Sequence, residues 1–256
     1  MKRVLLIVEG QHDVALLSKL CLHRGLERVR LLTELDPFWT FTVPTRFPIR
    51  DDLMKRVPVP SFFASPDLSI AIQAANGESQ IVDLLGEDLS LVPDGGFDAI
   101  GIVLDADHQH LPPERYADLT RAISASCPAL TMPGAAGEVG GGVPRFGIFV
   151  MPDNEVMGTL EDVLIEAAES VYPALHDGAR RFIESAVVAD GLTRHDLREA
   201  NKPAGRRKAV ASAIASVLKP CKAIQVAIED CRWIAPDGYG LPFRMRLERF
   251  LTDLTA

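Results

Sequence analysis

The sequence lacks any apolar run approaching the roughly 18 residues that are needed to cross a bilayer. Its first residues, MKRVLLIVEG, contain a short apolar stretch but no small-residue cleavage site, so we expect them to belong to the mature protein. Cysteine is also scarce, and the four cysteines include no C-x-x-C pair: Cys21, Cys127, Cys221 and Cys231. This spacing argues against a zinc ribbon and against a disulfide framework. We therefore expect a cytoplasmic protein with buried free thiols.

Basic residues are fewer than acidic ones, 27 against 35, which leaves a net charge of −8. Such a balance weighs against indiscriminate binding of nucleic acid, because that binding depends on neutralising phosphates. The charge is uneven, however, since residues 178–222 contain ten basic and four acidic side chains. An acidic protein with one basic face is compatible with a polyanionic substrate. The candidate nucleic-acid contacts in this stretch are Arg206, Arg207 and Lys208.

Three short apolar runs each end in an acidic residue. They are residues 4–8 before Glu9, residues 100–104 before Asp105, and residues 146–151 before Asp153. Continuous apolar runs of this length are typical of strands that are buried on both faces of a parallel sheet. A fourth run, residues 68–74, is closed by an Asn-Gly turn signal.

Helical patterns follow each of these runs, over residues 13–26, 77–89, 112–126 and 158–171. This alternation predicts an α/β fold with a doubly wound, mainly parallel sheet flanked by helices. We expect the α/β domain to span residues 1–172, and residues 173–256 to form a mainly helical C-terminal region packed on it. The oligomeric state does not follow from these patterns.

Two segments interrupt the alternation. Residues 33–66 contain six prolines, several phenylalanines and Trp39, and we expect this insertion to pack on the domain as a flap or small lobe. Residues 132–144 are rich in glycine but precede a strand, whereas a phosphate-binding glycine loop leads from a strand into a helix. We therefore expect a mobile connector there.

The acids that close the strands define the candidate site, because function in a parallel α/β sheet lies beyond the carboxyl ends of the strands. Asp105 and Asp107 can point to the same side of their strand, and Glu9 and Asp153 end two other strands at the same edge of the sheet. Carboxylates that are this close repel, and a divalent cation resolves the repulsion. Oxygen ligands favour Mg²⁺ or Mn²⁺ over zinc.

Several other residues near these strand ends have two interpretations. Asp13 is either the N-cap of the first helix or a ligand. Glu161 and Asp162 begin a helix and are candidates for an outer shell or for a second metal, as is Asp13. His108 and His110 form an H-x-H pair, which more commonly belongs to a solvated loop than to a metal site.

The motifs VEGQHD, GIVLDAD and GIFVMPDN…GTLED, in this order and strand context, resemble the Toprim superfamily. They are most similar to a Toprim-like branch related to the OLD-type nucleases, and the resemblance covers about residues 1–172. It implies that Glu9 is the general acid/base or a metal ligand and that Asp105 and Asp107 hold Mg²⁺. It also implies a second-metal role for Asp13. The third motif contributes Asp153, Asn154, Glu161 and Asp162, whose role in the family is unassigned; we treat them, with Asp13, as candidates for an outer shell or for a second metal.

The resemblance implies a Mg²⁺-dependent nuclease that hydrolyses phosphodiester bonds of nucleic acid. The ATPase domain of OLD-type proteins and the zinc ligands of primases are not found in the sequence, and no topoisomerase context surrounds Tyr116, Tyr172 or Tyr239. The alternative is a non-catalytic Toprim module that binds nucleic acid, a nucleotide or a separately encoded ATPase. DNA and RNA remain equally open as substrates.

Overall fold

The computed structural model describes residues 1–46, 59–93, 96–234 and 241–256. The strands of this part of the chain are β1 (Lys2–Val8), β2 (Glu27–Val29), β3 (Ser61–Ala64), β4 (Leu68–Ala74), β5 (Ala99–Asp105), β6 (Val139–Gly140) and β7 (Arg145–Met151). They form a seven-stranded sheet in the order β2-β3-β4-β1-β5-β7-β6. The four central strands β4, β1, β5 and β7 are parallel, and the other three, β2, β3 and β6, pair with their neighbours in antiparallel orientation.

The α-helices of the described residues are α1 (Gln11–His23), α2 (Ile81–Leu91), α3 (Pro112–Ser126), α4 (Leu160–Val171), α5 (Pro173–Ala186), α6 (Gly205–Leu218), α7 (Ile224–Asp230) and α8 (Pro242–Thr255). The predicted mixed α/β architecture, with a mostly parallel central sheet flanked by helices, is confirmed. Its cause is visible in β1, where Val4 to Val8 are all at most 1% exposed, because helices cover both faces of the strand.

The first helix begins earlier than the sequence indicates. It starts at Gln11 with Gly10 as its N-cap, so Asp13 is its third residue and not its cap. The Asp13 carboxylate reaches back to the backbone N–H of Gly10, at 2.9 Å. This contact satisfies one of the N–H groups that a helix start leaves without a partner, and it explains how a helix can begin without a capping side chain at Gly10.

Each face of the sheet has its own hydrophobic core. One face packs against α1 and α4 to α8, and the other packs against α2, α3 and a 3-10 helical segment, Pro37–Thr42. The helices that follow the adjacent strands β1 and β5 therefore leave toward opposite faces. A crevice opens between the carboxyl ends of two such strands, and this is where ligands bind in open α/β sheets.

The described part of the 33–66 insertion packs against the sheet. Trp39 is fully buried, stacks on Phe97 and donates a 2.7 Å hydrogen bond from Nε1 to Ser69 Oγ. The insertion also supplies strand β3, which pairs with β2 and β4. Residues 47–58 lie outside the described residues, so the expectation of a flap or lobe is tested only for its flanks.

The glycine-rich stretch 132–144 is not merely a connector. Within it, β6 pairs with β7, and a Cβ at Gly140 would lie 2.7 Å from the Thr131 carbonyl oxygen. The absence of a side chain is what allows this close backbone approach.

Two expectations about composition have mixed outcomes. Among the described residues, no helix is long and apolar enough to pass through a membrane. The four cysteines are free; Cys21 and Cys127 are buried as expected, whereas Cys231 is half-buried and Cys221 is exposed.

A pair of glycines allows the last helix, α8, to pack closely against the sheet. Gly101 and Gly147 are register partners on β5 and β7, and they leave a flat area under α8. A Cβ at Gly147 would lie 2.6 Å from Phe250 Cε2, and a Cβ at Gly101 would lie 2.7 Å from Leu254 Cδ2. The helix can approach the strands because neither position has a side chain.

We expect Gly147→Ala to lower the free energy of unfolding by about 1–3 kcal/mol, because the added methyl overpacks the contact with Phe250. Urea unfolding followed by circular dichroism measures the change. The control is Gly178→Ala, in the exposed part of α5 where no atom lies within 4 Å of the new Cβ. That substitution should stabilise the protein by up to about 1 kcal/mol through helix propensity. Equal effects of the two substitutions would contradict the proposed close packing of α8 against Gly147.

Candidate functional site

The crevice between β1 and β5 contains the acids that end these strands. Glu9 follows β1, and its Oε1 accepts a 3.0 Å hydrogen bond from the backbone N–H of Asp105, the last residue of β5. Asp105 Oδ1 in turn accepts from the N–H of Leu160, at 2.9 Å, in the first turn of α4. Glu9 thus links the end of β1 to the end of β5, and Asp105 links the end of β5 to the start of α4.

Two further carboxylates face the same crevice. Asp13, from the first turn of α1, and Glu161, from the first turn of α4, line a cleft of about 460 Å³ together with Glu9 and Asp105. Both are almost completely buried, at 6% and 5% exposure. The sequence indicates that Asp13 and Glu161 belong to an outer shell or to a second metal, whereas in the structure they line the cleft itself.

Burial and mutual repulsion raise the pKa values of three of these acids. Burial is the main cause for Glu9, whose pKa rises to about 7, and for Asp13, whose pKa rises to about 6. The pKa of Asp105 is raised well above its ordinary value by burial, and further by the charges of Asp13, Glu9 and Glu161. A cation that entered the cleft would relieve this cost.

Glu161 behaves differently. Burial acts to raise its pKa, but His12, Lys208 and Thr159 together lower the pKa below its ordinary value. His12 Nδ1 lies 3.8 Å from Glu161 Oε1. Glu161 is therefore the carboxylate of the cleft that is ionised most readily.

Asp107 lies on the other side of Glu9. It adopts a left-handed backbone conformation with φ of 63°, and its carbonyl oxygen accepts a 3.0 Å hydrogen bond from the N–H of Gly158. Its carboxylate is half-exposed and lies 3.5 Å from Nη2 of Arg115. The residues that line the cleft do not include Asp107. The D-x-D pair is therefore split, with Asp105 in the cleft and Asp107 beside an arginine.

The residues of the third motif mostly support the backbone. Asn154 Oδ1 accepts from the N–H of Val150, at 2.8 Å. Asp153 Oδ1 accepts from the N–H groups of Glu155 and Val156, at 3.0 and 2.9 Å. Neither Asp153 nor Asn154 is among the residues that line the cleft. Their contacts are those of a tight turn after β7.

Asp162 links α4 to its surroundings. Its Oδ2 accepts from the backbone N–H of Thr159 at 2.8 Å, and its Oδ1 lies 2.6 Å from Arg207 Nε. His108 Nε2 lies 3.1 Å from Asp162 Oδ2. His108 thus lies beside a carboxylate, although its buried Nε2 makes no hydrogen bond among the described residues, and Asp162 forms an ion pair with Arg207.

The basic stretch 178–222 contributes one residue to the cleft. Lys208, in the first turn of α6, lines the cleft, whereas Arg206, two residues earlier on the helix, is exposed and is not among the residues that line it. Five of the ten basic residues of 178–222 form ion pairs with acids: Arg180, Arg198, Lys202, Arg207 and Lys219. The basic face is therefore more strongly neutralised than the sequence indicates, and the basic residue of this stretch that lines the cleft is Lys208.

Sequence reasoning missed Arg115 and Glu78. Arg115 comes from α3, and its guanidinium lies against Glu9, Asp107 and Glu78. A basic residue one turn into the helix after D-x-D was visible in the sequence, but no pattern indicated which way it points. Glu78 follows β4, and nothing in the sequence marked it.

The donor chemistry of the cleft fits a hard divalent cation. Glu9, Asp13 and Asp105 each use one oxygen to accept from a backbone N–H, and among the hydrogen bonds of the described residues none uses the second oxygen of these groups. Across the same residues, no three Asp, Glu, His or Cys side chains already converge closely enough to hold a metal. Binding of a metal ion would therefore require rotation of the carboxylate side chains that line the cleft.

The raised pKa of Glu9 has a consequence for stability. The folded chain binds this proton more tightly than the unfolded chain does, so stability is lost as the pH rises from about 4.5 to about 7. Glu9→Gln keeps the oxygen that accepts from Asp105 and removes the charge. We expect it to be more stable than the wild type by about 1–2 kcal/mol at pH 8, and by less at pH 5.

Urea unfolding in EDTA across pH 5 to 8 measures this difference. Glu169→Gln, an exposed position on α4, is the matched control and should show little change at any pH. A Glu9→Gln protein that is no more stable than the wild type at pH 8 would contradict the assignment of a costly buried charge.

Comparisons with known proteins find a solved structure of similar fold and a matching family. No curated protein matches the chain. Among solved structures, a hypothetical protein from Pyrococcus horikoshii OT3 is similar, with a TM-score of 0.54 and 19% identity over 99% of this chain and 95% of that one. At this identity the likeness shows the fold alone. A family described as a protein of unknown function, DUF3226, matches residues 3–238. The chain belongs to the DUF3226 family.

Proposed function

We propose that the protein is a Mg²⁺- or Mn²⁺-dependent phosphodiesterase that cleaves nucleic acid at a Toprim-like centre. The observation that carries the proposal is the set of four carboxylates, Glu9, Asp13, Asp105 and Glu161, in the wall of one open cleft. They lie at the switch point of a parallel sheet, and three of them have raised pKa values. The charges of these buried carboxylates destabilise the folded protein when no ligand is bound. The site is therefore suited to a cation that arrives with its substrate.

Glu9, Asp13 and Asp105 would hold the ion through their second oxygens, while backbone N–H groups fix the first. The bound ion would supply Lewis-acid polarisation of the scissile phosphate and a lowered pKa for a coordinated water. Glu9 is the ligand or the general base, because it is the least buried of the three carboxylates and lies between the cleft and Arg115. Asp105 is the residue on which the arrangement depends most, since it contacts both Glu9 and α4.

The surroundings of the cleft favour an anionic substrate. The first turns of α1, α4 and α6 all contribute to its wall, and helix N-termini attract phosphate groups. Lys208 adds a positive charge to the wall of the cleft, and Arg206, exposed in the same turn of α6, would supply a further phosphate contact outside it. These groups would hold the backbone of the nucleic acid, whereas the acidic remainder of the surface would discourage non-specific binding.

We expect Asp105→Asn to reduce Mg²⁺-dependent cleavage by at least about 100-fold, since the loss of even an outer-shell partner of a metal costs 10–100-fold. Labelled single- and double-stranded DNA and RNA oligonucleotides are the substrates, and gel electrophoresis is the assay. The asparagine keeps the oxygen that accepts from Leu160, so the variant should fold. Glu169→Gln serves as the control with full activity. Undiminished cleavage by a folded Asp105→Asn protein would overturn the assignment.

We expect Arg206→Ala and Lys208→Ala each to weaken oligonucleotide binding at all sequences alike. Each should also reduce the slope of log affinity against log salt by about 1, because one phosphate contact is lost. Fluorescence anisotropy over a range of salt concentrations measures both quantities. Arg121→Ala, at an exposed position on α3, is the control. Unchanged salt slopes for both α6 variants would place the nucleic acid elsewhere.

The alternative is a non-catalytic Toprim module that binds nucleic acid, a nucleotide or a separately encoded ATPase. One observation favours it, namely that the described residues hold no ready-made group of three metal ligands. Calorimetric titration with Mn²⁺, alone and with an oligonucleotide, separates the two functions. Binding of Mn²⁺ that strengthens with the oligonucleotide supports the enzyme, and oligonucleotide binding without any metal supports the module.

A further inference from the structure

Arg115 is the cation that the carboxylates of the site already possess. Its side chain is only 11% exposed and reaches from α3 to the end of β5. Nε donates to the Asp105 carbonyl oxygen at 3.2 Å, and Nη2 lies 3.5 Å from Asp107 Oδ2 and 3.9 Å from Glu9 Oε1. Nη1 forms an ion pair with Glu78 Oε1. One guanidinium thus faces three carboxylates and a carbonyl, all of which are oxygen donors.

These oxygen donors are arranged as in a cation-binding site, and the guanidinium of Arg115 occupies the position of the cation. Glu78 comes from the turn after β4, Glu9 from the end of β1, and Asp107 from the end of β5, so three strand ends converge on the guanidinium. Glu9 belongs to both groups, because it also lines the cleft with Asp13 and Asp105. The carboxylates therefore form two adjoining clusters that share Glu9, of which one faces the open cleft and the other surrounds Arg115.

We propose that Arg115 takes the place of a second metal ion and limits the centre to one exchangeable cation, which is held on the cleft side. This inference rests on the proposed function in so far as it takes the cleft to be a metal site. Arg115 is then a positioning residue: it holds Glu9 and Asp107 in place and makes no contact with the reacting atoms.

The chemistry of arginine suits this role. A guanidinium stays charged at all physiological pH values and presents donors in a rigid fork, which three converging carboxylates can share. Two-metal phosphoryl-transfer sites hold their ions about 3.5–4 Å apart, and two divalent ions neutralise more charge than one ion and one arginine do. The arginine also explains why Asp107 does not line the cleft, since its carboxylate already has a positively charged partner.

The test counts bound Mn²⁺ per chain by electron paramagnetic resonance of the free ion. Arg115→Gln removes the charge and keeps a hydrogen-bond donor, Arg115→Lys keeps the charge, and Arg121→Gln is an exposed control on the same helix. We expect Arg115→Gln to bind one more Mn²⁺ than the wild type, and the other two variants to match the wild type. An unchanged count in Arg115→Gln, or an extra ion in Arg115→Lys, would overturn the inference.

The difference between the two counts separates this inference from the proposed function. A wild type with no ion and an Arg115→Gln protein with one would support the role of Arg115 and contradict the metal-dependent enzyme. One ion in each would do the reverse. Should Arg115→Gln fail to fold, Asp107→Asn and Asp105→Asn provide the second measurement, since asparagine tolerates the positive φ of Asp107.

In that measurement, Asp107→Asn should leave the Mn²⁺ affinity within about twofold of the wild type, and Asp105→Asn should weaken it at least about tenfold. An equal loss in both variants would mean that Asp107 is a metal ligand. The proposed role of Arg115 would then be wrong.

Discussion

The hydrogen bond from the Asp105 N–H to the Glu9 carboxylate is the contact on which the site depends. It joins the ends of β1 and β5 at the point where their following helices leave toward opposite faces of the sheet. Beyond this point the strands separate, and a backbone N–H at the open end needs a partner. Glu9 supplies that partner, and in doing so it places a carboxylate at the head of the crevice, against both Asp105 and Arg115.

The fold accepts an energetic cost at this place. Burial raises the pKa values of Glu9, Asp13 and Asp105, so their charges destabilise the folded chain near neutral pH. The cost is partly offset by the backbone N–H donors of Asp105, Gly10 and Leu160, by His12 for Asp13 and by Arg115 for Glu9. The remaining electrostatic strain is what a divalent cation would relieve, and for this reason the cleft is better explained by function than by stability.

Much of the fold could be predicted because the signals were local. Continuous apolar runs marked the four parallel strands, and their acidic ends marked the edge of the sheet where Glu9 and Asp105 lie. The directions of individual side chains could not be predicted. Asp107 turns away because of a positive φ and an arginine from the next helix, Asp13 is the third residue of a helix that starts at Gln11, and Asp153 holds a turn. Short edge strands such as β2 and β6 carry too little pattern to be recognised.

Anomalous X-ray scattering from crystals soaked in Mn²⁺ tests the central claim most directly, because it locates the ion among the carboxylates. The account predicts one anomalous peak bounded by Glu9, Asp13 and Asp105, with Asp107 still beside Arg115. A second peak between Asp107 and Glu9, with the guanidinium displaced, would contradict the assignment of Arg115. A crevice without any peak would contradict the metal centre itself.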